Sequence, residues 1–370
     1  MGDKQAKRAD IAEIQKRIQE SLPLWYPGVT DSNASLAFVR EKKYRWSQHL
    51  VFRMTGVVGH EDQGILVKCL KPHDITGSVQ NGVRSEQCCA LLEYKALSLL
   101  YDHLGKGKLD GVAAVRCLAH FADIDAVVLE YMSGRTLLSL GLKAAKPWAT
   151  ESTVKRAADA AGRAGKLVAG LHQIEWGKYP RTQPFDAEAY CEDLQAEVDS
   201  LLDYSVGENV RTRLNNVLQM VHEFTRGLKE NVVVTYLHND LYLDNFIVLP
   251  DGRVFTIDTT LELTGPVEKD IGQLIVFAET SRQRLLSGAS AVRTSVINRM
   301  TQAFIANYSD FAHYSSRILI LYQLLALLQC WSRFGDVCRN KSPRPIMSLF
   351  QRVRLEPFML GHLESICNYL

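Results

Sequence analysis

The residues best suited to chemistry lie in positions 236–258, which read YLHNDLYLDNFIVLPDGRVFTID. Asp240 and Asn245 stand in a DxxxxN spacing, and Asp258 follows thirteen positions later at the close of a β-like run. That order suits phosphoryl transfer from a magnesium nucleotide. Asp240 can orient an attacking hydroxyl and accept its proton, while Asn245 and Asp258 offer hard oxygen ligands to Mg²⁺ bridging the phosphates. His238, with Leu237 before it, reads as packing for the loop.

Two elements must deliver these groups. Positions 246–249 form a short apolar strand, Pro250-Asp251-Gly252 is a turn signal, and positions 254–257 make a second strand that ends at Asp258. A hairpin of this kind carries Asn245 and Asp258 to the same end of a small sheet. The competing reading treats Asp240 and Asp258 as polar flanks of strands, and the order of histidine, base, amide and carboxylate argues against it.

A lysine in an otherwise apolar strand is the next signal. Lys68 sits at the centre of ILVKCL, where burial without an anionic partner is costly. Aligning the α- and β-phosphates, steadied by a helix glutamate, gives it a use. Glu93 in LLEYKALSLL is the best partner, and Glu86 competes with it. The plainer alternative is a lysine that reaches solvent from an edge strand.

HNDLYLDN followed by FTID resembles the catalytic and metal-binding loops of the aminoglycoside phosphotransferase and choline kinase branch of the protein-kinase-like fold. The short gap between Asn245 and Asp258 favours this small-molecule branch, and Asn239 stands where the family usually has Gly. The resemblance implies two lobes, ATP and Mg²⁺ as cofactors, and phosphorylation of a hydroxyl. It identifies VVLEYMSGRTL as a hinge, with backbone groups of Glu130 and Met132 passing the adenine. Backbone contacts of that kind do not choose between ATP and GTP. No GxGxxG occurs in VREKKYRWSQHLV, and the family's serine-bearing turn maps onto Ser47, beside Trp46 and Gln48. Asp270, with Glu268 nearby, resembles the aspartate that braces the catalytic loop, whereas His172 in AGLHQI reads as a satisfied core histidine.

The acceptor follows from weaker signs. IDTTLE after Asp258 and FIV after Asn245 are similar to envelope-sugar kinases, including lipopolysaccharide heptose kinases. A sugar or glycan hydroxyl therefore ranks first, choline or another amino alcohol second, and an aminoglycoside third. Choline needs an aromatic cage, to which Tyr322 and Trp331 could contribute. The basic, aromatic set Arg344, Phe350, Arg352, Arg354 and Phe358 suits peripheral contact with a membrane or an anionic glycan, or simple helix packing. A catalytically silent kinase-like scaffold is the reading from another class, and retention of Lys68, Asp240, Asn245 and Asp258 speaks against it.

The remainder of the chain bounds these expectations. With 370 residues, 46% hydrophobic, it can bury two substantial cores, and a net charge of +2 gives no argument for nucleic acid. Eight cysteines without CxxC or zinc-like spacing point to reduced thiols in a cytoplasmic protein. The N-terminal stretch is expected to carry no apolar signal core, Ala6 breaks the myristoylation pattern, and the apolar run at 318–331 is too short to span a bilayer. The expected class is α+β: a bilobal protein-kinase-like fold with a small antiparallel-sheet N-lobe and a mainly helical C-lobe. A helical appendage is expected over 1–28, the N-lobe over 29–132 and the C-lobe over 133–370.

Overall fold

The computed structural model describes residues 10–30, 34–43, 47–55, 64–70, 89–105, 107–203, 207–261, 263–280, 293–340 and 355–370. Ala6, Trp46, Glu86, Arg344, Phe350, Arg352 and Arg354 lie outside them. The chain divides into two compact units. One holds the residues up to Gly134 together with 249–251 and 255–262, and the other holds the rest.

The first unit is built on a five-stranded sheet. It opens with helix α1 (Ile11–Trp25), whose Asp10 cap accepts from the Ala12 N–H at 3.0 Å. Strands β1 (Ser35–Lys43), β2 (Ser47–Thr55) and β3 (Gly64–Leu70) follow, then helix α2 (Cys89–Leu104), β4 (Cys117–Phe121) and β5 (Ala126–Tyr131). All pair antiparallel in the order β1-β2-β3-β5-β4. Period-two alternation sends Leu50, Phe52 and Met54 of β2, and Ile65 and Val67 of β3, to one face. There they share a core with Ile14, Ile18, Leu22 and Trp25 of α1. The N-terminal helix thus belongs to the sheet's own core. Lys68 falls on the opposite face of β3, a strand flanked on both sides, so it does not sit on a sheet edge.

The second unit begins with β6 (Arg135–Thr136), α3 (Leu137–Ala144) and α4 (Glu151–His172). Strand β7 (Arg181–Pro184), helices α5 (Ala187–Leu202) and α6 (Glu208–Arg226) and strand β8 (Asn231–Tyr236) come next. Strand β9 (Phe246–Val248) follows; β10 (Val254–Thr256) has Val254 in this unit and its other two residues in the first, and β11 (Thr264–Pro266) leads directly into α7 (Val267–Glu279). The chain closes with α8 (Thr294–Ser309), α9 (Ser316–Asn340) and α10 (Glu356–Cys367). The strands β11, β8 and β7 form an antiparallel sheet centred on β8. Helix α9 is the apolar axis: Leu321, Leu324, Leu325, Leu328 and Trp331 are buried with side chains from α5, α6, α7 and α10. Among the described residues, no helix is long and apolar enough to cross a membrane.

One close helix contact matters for the site. A Cβ added at Gly272 on α7 would lie 2.9 Å from the Gln323 nitrogen and the Tyr322 carbonyl carbon of α9. Only glycine lets the two backbones approach so nearly, which sets α7 against the core helix.

Candidate active site

In the first unit, Lys68 is 9% exposed and is held by two carboxylates. Its Nζ lies 2.9 and 2.7 Å from the two oxygens of Glu93 on α2, and 2.5 Å from Oδ1 of Asp258. Burial opposes the ammonium charge, but Glu93 and then Asp258 outweigh it and hold Lys68 above its usual pKa. Burial, opposed by the Lys68 charge, raises the pKa of Glu93. Glu93 is closed off, with a side chain 4% exposed, whereas that of Asp258 is 37% exposed. A carboxylate as exposed as that of Asp258 is a hard oxygen ligand suited to a divalent cation. Among the described residues there is no group of three or more His, Cys, Asp or Glu able to hold a metal alone.

Ser47 and His49 lie on the same face of the sheet as Lys68. His49 is the direct β2 neighbour of Lys68, and its Nε2 is 3.2 Å from the Ser47 hydroxyl. Burial, followed by the Lys68 charge, pushes the His49 pKa down to about 4, so the ring is neutral at physiological pH. Ser47 itself is buried. At the end of β5, Glu130 uses its N–H on the Arg116 carbonyl at 2.9 Å, and Met132 follows half-buried, just beyond the strand.

In the second unit, β8 runs into the loop that carries Asp240. Its turn needs Asn239 at φ 60°, a left-handed conformation that Gly and Asn adopt most readily, which accounts for the residue found where the resembling family has Gly. Asp270 of α7, fully buried, accepts from the His238 N–H at 2.7 Å and from the Asn239 N–H at 2.9 Å. One turn on, Gln273 accepts from the Leu241 N–H at 2.9 Å. The Asp270 carboxylate also meets His172 Nε2 at 3.1 Å, and His172 Nδ1 lies 2.9 Å from the Tyr308 hydroxyl. Burial alone would raise the Asp270 pKa; the bond to His172, the two histidines' charges and the His238 N–H reverse this and hold it below its usual value.

The braced loop presents Asp240 exposed to solvent. Asn245, which is 9% exposed, donates through Nδ2 to the Asp240 carbonyl at 2.7 Å and to its carboxylate Oδ2 at 3.0 Å. Asn245 closes a short 3-10 turn (Leu243–Asn245) that leads into β9. Its Nδ2 being a donor to Asp240, its amide oxygen is the atom suited to a cation.

The sequence pattern pointed to Lys68, Glu93, Asp258, Asp240, Asn245 and Asp270 but did not single out His49, Gln273 or Tyr308. The i,i+3 spacing of Asp270 and Gln273, which puts both on one helix face, is the signal that was there to be used.

A family model described as a phosphotransferase enzyme family matches residues 90–293. No curated protein sequence matches the chain. A solved choline kinase from Cryptosporidium parvum Iowa II aligns at 12% identity, covering 96% of this chain and 96% of that one, with a TM-score of 0.53. A thermostable mutant of an aminoglycoside phosphotransferase, in ternary complex with AMP-PNP and hygromycin B, aligns at 11% identity. It covers 95% of this chain and 98% of that one, with a TM-score of 0.51. The fold is therefore of the α+β, kinase-like class that the sequence led us to expect.

Proposed function

Because the chain belongs to the phosphotransferase enzyme family over residues 90–293, we propose that it transfers the γ-phosphoryl group of ATP to a hydroxyl of a sugar or glycan. The observation that carries this reading is the state of Asp240: an exposed carboxylate, oriented by Asn245, on a loop whose N–H groups are tied to buried Asp270.

In this reading Asp240 positions the acceptor hydroxyl and receives its proton late in an in-line transfer. Lys68, kept charged and steadied by Glu93, aligns the nucleotide phosphates, with Ser47 contributing a neutral hydroxyl beside them. The amide oxygen of Asn245 and the carboxylate of Asp258 would hold Mg²⁺. When bound, that ion neutralises charge on the phosphate oxygens. Glu130 and Met132 serve the adenine through their backbones. Catalysis rests mainly on alignment and charge compensation.

The acceptor assignment draws on two supports. The IDTTLE segment is similar to envelope-sugar kinases. In addition, Tyr322 and Trp331, the aromatics that a choline cage could have used, are buried in the core at 9% and 1% exposure. The test is incubation with γ-labelled ATP and a panel of sugars, glycolipids, choline and aminoglycosides. Label on a sugar or glycan is expected. Label on choline or aminoglycosides alone overturns the acceptor, and the absence of both label and a Mg-ATP thermal shift overturns the enzyme in favour of a scaffold.

A further inference from the structure

Beside the Asp240 loop, three helices converge on an immobilised guanidinium. Tyr242 is linked to Asp240 by a hydrogen bond from its N–H to the Asp240 carbonyl at 2.9 Å. Its ring stacks on Phe277 of α7, with centroids 4.1 Å apart and planes at 8°. Arg333 of α9 donates through Nη1 to the Tyr242 hydroxyl, and its guanidinium carbon lies 5.9 Å from the Phe277 ring centroid. Arg333 is nevertheless exposed.

Its electrostatic surroundings are unusual for an arginine held so firmly. Among the described residues, no carboxylate lies within ion-pair distance of Arg333. Glu197 of α5 is near enough to feel its charge, but burial comes first and holds that carboxyl above its usual range. Gln329, one turn before Arg333, hydrogen-bonds to Glu197. The aromatic pair thus fixes the direction of a planar donor fork, with no carboxylate at ion-pair distance among the described residues. A guanidinium held in this way is matched to an oxyanion, which it can bind through two parallel hydrogen bonds.

We propose that Arg333 recognises an anionic group, phosphate or carboxylate, on the acceptor whose hydroxyl Asp240 activates. The acceptor is then a sugar already bearing negative charge, rather than an amine-bearing one, since a cationic amine would be repelled there. Tyr242 and Phe277 act as positioning residues for Arg333, and their stacked rings offer a surface for a sugar face. This inference rests on the phosphotransferase reading of Asp240.

The test is calorimetric binding to the Mg-ADP-saturated protein, with glucose, glucosamine, glucose 6-phosphate and glucuronate as probes. The wild type should bind an anionic probe more tightly than glucose and bind glucosamine least. Glucose 6-phosphate against glucuronate separates phosphate from carboxylate as the preferred anion. Arg333→Ala should weaken the anionic probe roughly 10- to 100-fold and leave glucose and Mg-ADP unchanged, and Arg333→Lys should fall between. Equal loss for neutral and anionic probes, preference for glucosamine, or no binding of any anionic probe by the Mg-ADP form overturns the proposal. Failure of the wild type to bind Mg-ADP instead overturns the phosphotransferase reading itself.

Discussion

Asn245 grips Asp240 at two points, its Nδ2 lying 2.7 Å from the main-chain carbonyl and 3.0 Å from the carboxylate Oδ2. One amide therefore sets both the backbone and the side-chain direction of Asp240. Asn245→Ala is expected to lower kcat about 100-fold, because a base free to rotate loses its near-attack alignment. Initial rates at saturating Mg-ATP, together with a melting curve showing an intact fold, check this. Unchanged kcat would leave Asn245 without a catalytic part.

Asp240 and Asp258 should separate turnover from binding. Asp240→Asn is expected to lower kcat by about 10²- to 10⁴-fold with the nucleotide Kd nearly unchanged. Asp258→Ala should weaken Mg-nucleotide binding as well, and it also removes one of the two carboxylates that balance Lys68. Calorimetric titration of Mg-ADP distinguishes the two variants, and full phosphoryl transfer by both rejects the roles proposed for them.

Asp270 carries a stability prediction. Replacement by Ala strands the N–H groups of His238 and Asn239 and removes the partner of His172, a cost of about 3 kcal/mol or more. Because its folded pKa lies below the unfolded value of 3.8, the charged carboxylate contributes stability above that pH. That contribution is lost as the pH falls through the folded pKa. Asp270→Asn should thus be less stable than wild type at neutral pH, with the gap closing in strong acid. Urea melts at pH 7 and pH 3 read the difference.

Glu268 has the opposite sign. Its Oε1 accepts from the Ser315 N–H at 2.7 Å, while Oε2 has no hydrogen-bond partner among the described residues. Burial pushes its pKa up to about 7 from 4.5, against the Ser315 N–H and with help from Glu230. The folded chain binds more protons than the unfolded chain between these values. Its contribution to stability therefore falls as pH rises from about 4.5 to 7 and levels off above. Glu268→Gln should be more stable than wild type at pH 8, by about 1–3 kcal/mol, with the gain vanishing near pH 4. Equal stability of the two proteins at pH 8 would contradict the raised pKa.

Much of this molecule is local in origin and was therefore legible in its residues. The strands around Lys68, helix α2 with Glu93, and the DxxxxN loop follow from periodicity, turn chemistry and the spacing of polar groups. The small sheet of β7, β8 and β11 was not anticipated. Its outer strands, RTQP at 181 and TGP at 264, have little strand propensity of their own and form by pairing with the valine-rich β8. The N-terminal helix, expected as an appendage, shares its apolar face with the sheet because Ile14, Ile18 and Leu22 find Phe52 and Met54.

What the sequence alone determined is the set of reactive groups and their order along the chain, since residue identity and spacing are covalent facts. Tertiary structure decided which carboxylate answers which cation. It closed Glu93 and Asp258 on Lys68 and aimed Asp270 at two backbone N–H groups. It also set Arg333 against the Tyr242 hydroxyl and the Phe277 ring. These outcomes depend on desolvation and on contacts between residues far apart in the chain, and neither can be computed from spacing.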